Sequence, residues 1–127
     1  MATIIKYIDK EEHRYPTPGD YFLNDDGNTI INVTKFSNED FSFLVAVHEL
    51  IEEYLTRRQG IDEPMIKEFD VAFEEERSLG LHKSTDEPGM DKRSPYREQH
   101  KFATKIEKLI CKEMGYSWKE YEEVFDD

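Results

Sequence analysis

Phe43–Gly60, FLVAVHELIEEYLTRRQG, is an apolar segment interrupted by His48, Glu49 and Glu52. Read as a helix, it places Leu44, Val47, Ile51 and Leu55 at spacings of three and four, which predicts one buried stripe. His48 and Glu52 lie four apart, so their side chains rise from one face a single turn from each other. Glu49 sits about 100° around the axis from His48, within reach of a species held by that pair. Arg57 and Arg58 fall in the last turn, where cations are favoured, and Gly60 ends the helix.

This spacing is the layout of the zincin helix His-Glu-x-x-His with a carboxylate in place of the second imidazole. In that motif two ligands hold the metal, and the Glu after the first His takes a proton from water. Oxygen ligands at about 2.0–2.2 Å suit Zn²⁺, so Glu52 can replace an imidazole. Its negative charge moves the preference toward harder ions such as Mn²⁺ or Fe²⁺. The alternative is a core imidazole beside an ordinary solvated Glu52–Glu53 face. Against it, Val45, Ala46 and Val47 lead straight into His48 and Leu50-Ile51 follow, and ionisable groups in so apolar a surround need partners.

The chain of 127 residues is expected to form one domain, β-rich over 1–36 and helical over 37–127. Lys and Arg number 17 against 29 Asp and Glu, a net charge of −12. Such a surface repels phosphate backbones, which weighs against nucleic-acid binding without a metal between them, and favours divalent cations. Hydrophobic residues at 37% suffice for a core, so the charge does not imply disorder. The lone Cys111 allows neither an internal disulfide nor a cysteine zinc site. With no leader and no long apolar run, a cytoplasmic protein without membrane contact is expected.

Upstream, Thr3–Ile8 is β-branched and reads as a strand. Tyr21–Leu23 and Thr29–Thr34 are the arms of a hairpin turned by Asp25-Asp26-Gly27-Asn28. No bidentate Glu follows these aspartates at calcium-loop distance, so the turn reading prevails. Ser37–Asp40 supplies caps for a helix from about Asp40 to Arg58. Asp62 caps a second helix whose stripe is Ile66, Phe69, Ala72 and Phe73. Residues 81–93 form a Gly- and Pro-rich lid or connector. Ser94-Pro95 opens a third helix as cap and first residue, and a short amphipathic helix carries Trp118, Tyr121 and Phe125.

On the third helix Tyr96, His100, Ala103, Glu107, Ile110 and Met114 share one face, which Phe102, Ile106 and Leu109 widen into a core-facing surface. His100 is therefore an inward imidazole where a third ligand for His48 and Glu52 is needed. Glu107, two turns on, is placed to hold an imidazole N–H or a second ion. Asp70, flanked by Phe69 and Val71, is a further candidate to ligate the metal or orient His48. His13 and His82 read as surface residues.

The run VAVHELIEEYL, then EFDVAF, EPGMD and SPYREQHKFATKIEKLI, resembles a family of small uncharacterised bacterial and phage proteins, to which no activity is attached. At the helix alone, HELIE is similar to the minimal zincin motif, which implies metal-dependent peptide hydrolysis with His48 and Glu52 as ligands and Glu49 as general base. Glu52 stands where zincins place His, and no metzincin extension follows.

The expectation is an α+β fold, an N-terminal strand and β-hairpin packed on three or four helices, carrying a zincin-like hydrolase. Its site is Glu49 as base with His48, Glu52, Asp70 and His100 around a divalent metal, Zn²⁺ first, then Mn²⁺, Fe²⁺ or Mg²⁺. A peptide is the substrate that the motif implies. Two alternatives stand beside it. Glu49-x-x-Glu52 with Asp70 is similar to the Mg²⁺ carboxylates of all-α nucleoside triphosphate pyrophosphohydrolases, although Lys67 occupies the place of a further Glu. The other is a non-catalytic acidic phage-type protein with a structural metal and a protein partner.

Overall fold

The computed structural model describes residues 1–126 and is α+β. Strand β1 (Thr3–Ile8) runs parallel to β3 (Thr29–Thr34), and β2 (Gly19–Leu23) pairs antiparallel with β3 on its other side, so β3 is central. Alternation along β3 buries Ile31 and Val33 completely. The hairpin turns where expected: Asn24 Oδ1 accepts the backbone N–H groups of Asp26 and Asn28, and Gly27 supplies the positive φ of 80°.

Helix α1 (Glu39–Arg58) starts at Asn38, whose side chain accepts the N–H of Asp40, and lies across the sheet. Helix α2 (Glu63–Ser78), α3 (Arg97–Glu113) and the short α4 (Trp118–Glu122) complete the fold. α3 runs antiparallel to α1: Tyr116, just past its end, bonds Asn38 and Asp40, whereas Glu107 and then His100 meet His48 further along. The core between sheet and helices is built from Tyr21, Ile31, Val33, Phe41, Leu44 and Tyr121 among others. No helix among the described residues is long and apolar enough to cross a membrane.

Four sequence expectations are corrected. Of the predicted α1 stripe only Leu44 is fully buried; the inward face carries Leu44, Val45, His48, Glu52 and Thr56, while Val47, Ile51 and Leu55 are half-buried. Apolar residues stand on more than one face of the helix, so its periodicity admits more than one inward face, and polar partners across the core select the observed one. On α2 the inward residues are Ile66, Asp70 and Phe73, and Ala72 is exposed. α3 begins two residues later than expected, with Tyr96 at the cap position, because Ser94 and Pro95 belong to the preceding turn. Phe102 and Leu109 point outward, at 48% and 59% exposure.

Candidate metal centre

His48 and Glu52 rise from the middle of α1 toward α3, and α3 answers with His100. His48 Nε2 lies 3.0 Å from Glu52 Oε2 and 3.1 Å from His100 Nδ1, and His100 Nδ1 lies 2.9 Å from the same Glu52 oxygen. These three atoms form a nearly equilateral triangle, the one His/Cys/Asp/Glu cluster of metal-ligating geometry among the described residues. Ligands at about 2.0–2.1 Å in a tetrahedral shell are separated by about 3.3 Å, so the triangle is close to the size that an ion requires.

The outer nitrogens decide the proton inventory. His48 Nδ1 is 2.7 Å from Glu107 Oε1, and His100 Nε2 is 2.7 Å from Glu87 Oε2. A carboxylate accepts only, so each imidazole donates its N–H outward and turns a lone pair toward the centre. Glu52 is fixed likewise, since its other oxygen accepts the Tyr21 hydroxyl at 2.9 Å. Three lone pairs then converge on one point, which must hold either extra protons or a metal ion. With protons alone, burial opposes the imidazolium charge, yet Glu107 and Glu52 carry the His48 pKa well above its ordinary range. Glu52 and Glu87 likewise carry His100 up to about 9. Burial pushes Glu52 up, but His100 and His48 outweigh it and bring the carboxyl down to about 2.

Glu49 stays outside the triangle and packs against the start of β2. A Cβ on Gly19 would lie 2.7 Å from Glu49 Cγ and 2.8 Å from Oε1, so the bare backbone at Gly19 makes the space that this side chain occupies. Burial, then the neighbouring Glu52 carboxylate, raise the Glu49 pKa well above the ordinary range, with His48 opposing. The result is a carboxyl able to hold a proton beside the cluster.

Asp70 is buried at the same end of the core, but its carboxylate is taken by two hydroxyls, Tyr96 at 2.5 Å and Tyr15 at 3.1 Å, and it does not join the triangle. Burial raises its pKa to about 7, against the hydrogen bonds that favour its charge. A carboxyl whose folded pKa exceeds its unfolded value of 3.8 adds stability that is complete below pH 3.8 and lost as pH rises through about 7. In metal-free protein, Asp70→Asn is therefore expected to gain on wild type between pH 4 and pH 8 by up to about 4 kcal/mol. Urea unfolding at both pH values measures it; an unchanged gap would show that Asp70 titrates normally.

The segment between α2 and α3 closes over His100. Besides Glu87, it brings Gly89 so near that a Cβ there would lie 2.3 Å from His100 Cγ, so glycine is needed for this seat. The segment is tied to α2 where Arg77 donates to the carbonyls of Lys83 and Asp86, and where Arg93 and His82 bond Glu76. His82, expected on the surface, stacks on Phe73 with ring centroids 3.9 Å apart. His13 is half-buried and bonds the Thr34 hydroxyl at 2.9 Å.

Helix phase in the sequence set His48 beside Glu52 on α1 and His100 in line with Glu107 on α3, and the packing of the two helices brought the pairs together. Glu87 and Tyr21 escaped it: one lies in an aperiodic loop and the other carries a hydroxyl that reads as ordinary core. Comparison of the chain with protein-family models, with curated proteins and with solved structures finds no match.

Proposed function

We propose that the protein is a metal-dependent hydrolase of zincin-like type, and the observation that carries this reading is the convergence of His48 Nε2, Glu52 Oε2 and His100 Nδ1 within 3.1 Å of one another. Two imidazole nitrogens and one carboxylate oxygen suit Zn²⁺ best, with Mn²⁺ and Fe²⁺ next. Three protein ligands leave a coordination position for water or substrate, as catalytic rather than structural zinc sites do. The carboxylates of Glu107 and Glu87 on the outer nitrogens are the partners that orient metal-binding imidazoles. The nitrogen-rich donor set and the α+β fold weigh against the Mg²⁺ pyrophosphohydrolase alternative.

Bound Zn²⁺ supplies a Lewis acid that polarises a carbonyl and acidifies water. Glu49, adjacent to the cluster and outside its ligand set, takes the proton of the attacking water and returns it to the leaving group. A peptide or related amide is the substrate class that this chemistry serves.

One observation favours a second reading, in which the metal only staples α1 to α3: the His48, Glu52 and His100 side chains are 8%, 5% and 12% exposed. On the hydrolase reading the segment between α2 and α3 must therefore move to admit substrate. Elemental analysis of protein purified without added metal tests the common premise. One divalent transition ion per chain supports it; protein that stays metal-free after zinc loading and desalting overturns it.

A further inference from the structure

Helix α1 has a second apolar face, which the described residues leave largely open. Phe43, Val47, Leu50 and Tyr54 follow one another at spacings of four, three and four on its outward side, the seam of a helix that packs against another helix. Phe43, Leu50 and Tyr54 are 43%, 40% and 53% exposed. At one flank the stripe forms a groove with Ile5 and Tyr7 of β1. At the other stand Phe102, Ile106 and Leu109 of α3. They lie about 100° to one side of the buried Ala103–Glu107 line, as Val47 does from the His48 side of α1. In an antiparallel pair these two flanks open on the same molecular surface.

Phe43, Leu50, Tyr54, Phe102 and Leu109 are each 40–59% exposed, and large apolar side chains gathered on one surface are the mark of an interaction site. In a chain that is 36% charged, no acid or base interrupts the stripe between Phe43 and Tyr54. The charges stand at its ends: Glu39 and Asp40 in the first turn of α1, Arg57 and Arg58 in the last.

We propose that this face docks a second copy of the chain, α1 against α1 in antiparallel register about a twofold axis near Leu50, with the α3 helices flanking to complete a four-helix layer. A twofold places the acidic end of one α1 against the basic end of the other, so the seam and the charges are complementary in the same register. An acidic or basic partner of another kind would meet only one end correctly.

Sedimentation velocity on the full chain, over a concentration series to about tens of micromolar, is the test, with twice 15.1 kDa expected. Leu50→Glu and, separately, Tyr54→Glu should each raise the dimer dissociation constant by at least about tenfold while circular dichroism and melting stay those of a folded protein, since both positions are exposed. Glu39→Lys and Arg58→Glu should each weaken the dimer, and the double charge swap should restore it. A wild-type monomer throughout the series would overturn the proposal, including one that instead binds lipid vesicles. So would a dimer that both Leu50→Glu and Tyr54→Glu leave unchanged. This outcome is independent of the metal reading.

Discussion

His48→Ala is expected to lose its metal and much of its stability together. The substitution removes one corner of the triangle, and loss of even an orienting partner of a ligand lowers metal affinity about 10- to 100-fold, so loss of the ligand itself should exceed about 100-fold. Ion bound at 1,000 times its dissociation constant contributes about 4 kcal/mol to the folded state, which the variant forgoes. A second loss needs no metal. Glu107 and Glu52 both contact His48 in the core, at 6% and 4% exposure; without the imidazole Glu107 loses its buried ion-pair partner, while Glu52 keeps His100 and Tyr21. Removing one partner of a buried ion pair costs about 3–5 kcal/mol. Wild type in chelator should therefore melt between loaded wild type and His48→Ala. Metal analysis of both proteins with melting curves in and out of chelator measures this; equal metal content in the two would defeat the assignment of His48.

Glu49→Gln is expected to keep the metal and the fold but lose hydrolysis by about 10²- to 10⁴-fold, the ordinary effect of removing a general base. Glu49 lies one residue past His48, packs over Gly19 and stays outside the ligand triangle, so the amide fits the same space without disturbing the donors. The amide cannot accept the proton of water, which is the one property removed. The measurement pairs metal content with turnover of amide substrates found by a peptide library screen on the loaded wild type. If Glu49→Gln releases the metal, Glu49 is a ligand and the base assignment fails. If the fully loaded wild type turns over nothing, the ion is a staple between α1 and α3, and the near-complete burial of its ligands is explained by that role.

The elements of the fold were legible from the sequence because each is written locally. Thr3–Ile8 and the hairpin arms are β-branched runs, Asn38 and Gly60 bound α1, and Gly80 ends α2 with a positive φ. The site was legible in part for the same reason. A spacing of four fixes His48 beside Glu52, and the phase of α3 aligns His100 with Glu107 whatever the rest of the chain does.

Tertiary structure decided what local periodicity leaves open. A helix such as α1, with apolar residues on more than one face, has no single hydrophobic stripe to fix its orientation; its inward face was selected by buried polar pairings, His48 with Glu107 and Glu52 with Tyr21. Those partners lie 59 and 31 residues away in sequence, and no spacing rule connects them. The same selection left Val47, Leu50, Phe102 and Leu109 on or near the surface although their sequence pattern is that of a core. It placed Asp70 against Tyr15 and Tyr96 instead of in the triangle, and set Glu87, from a loop without periodicity, on His100. The sequence by itself determined which groups each helix carries and in what phase. Which of them meet was decided by long-range packing, because a hydrogen bond between distant residues depends on their positions in space and leaves no mark on either one's neighbours.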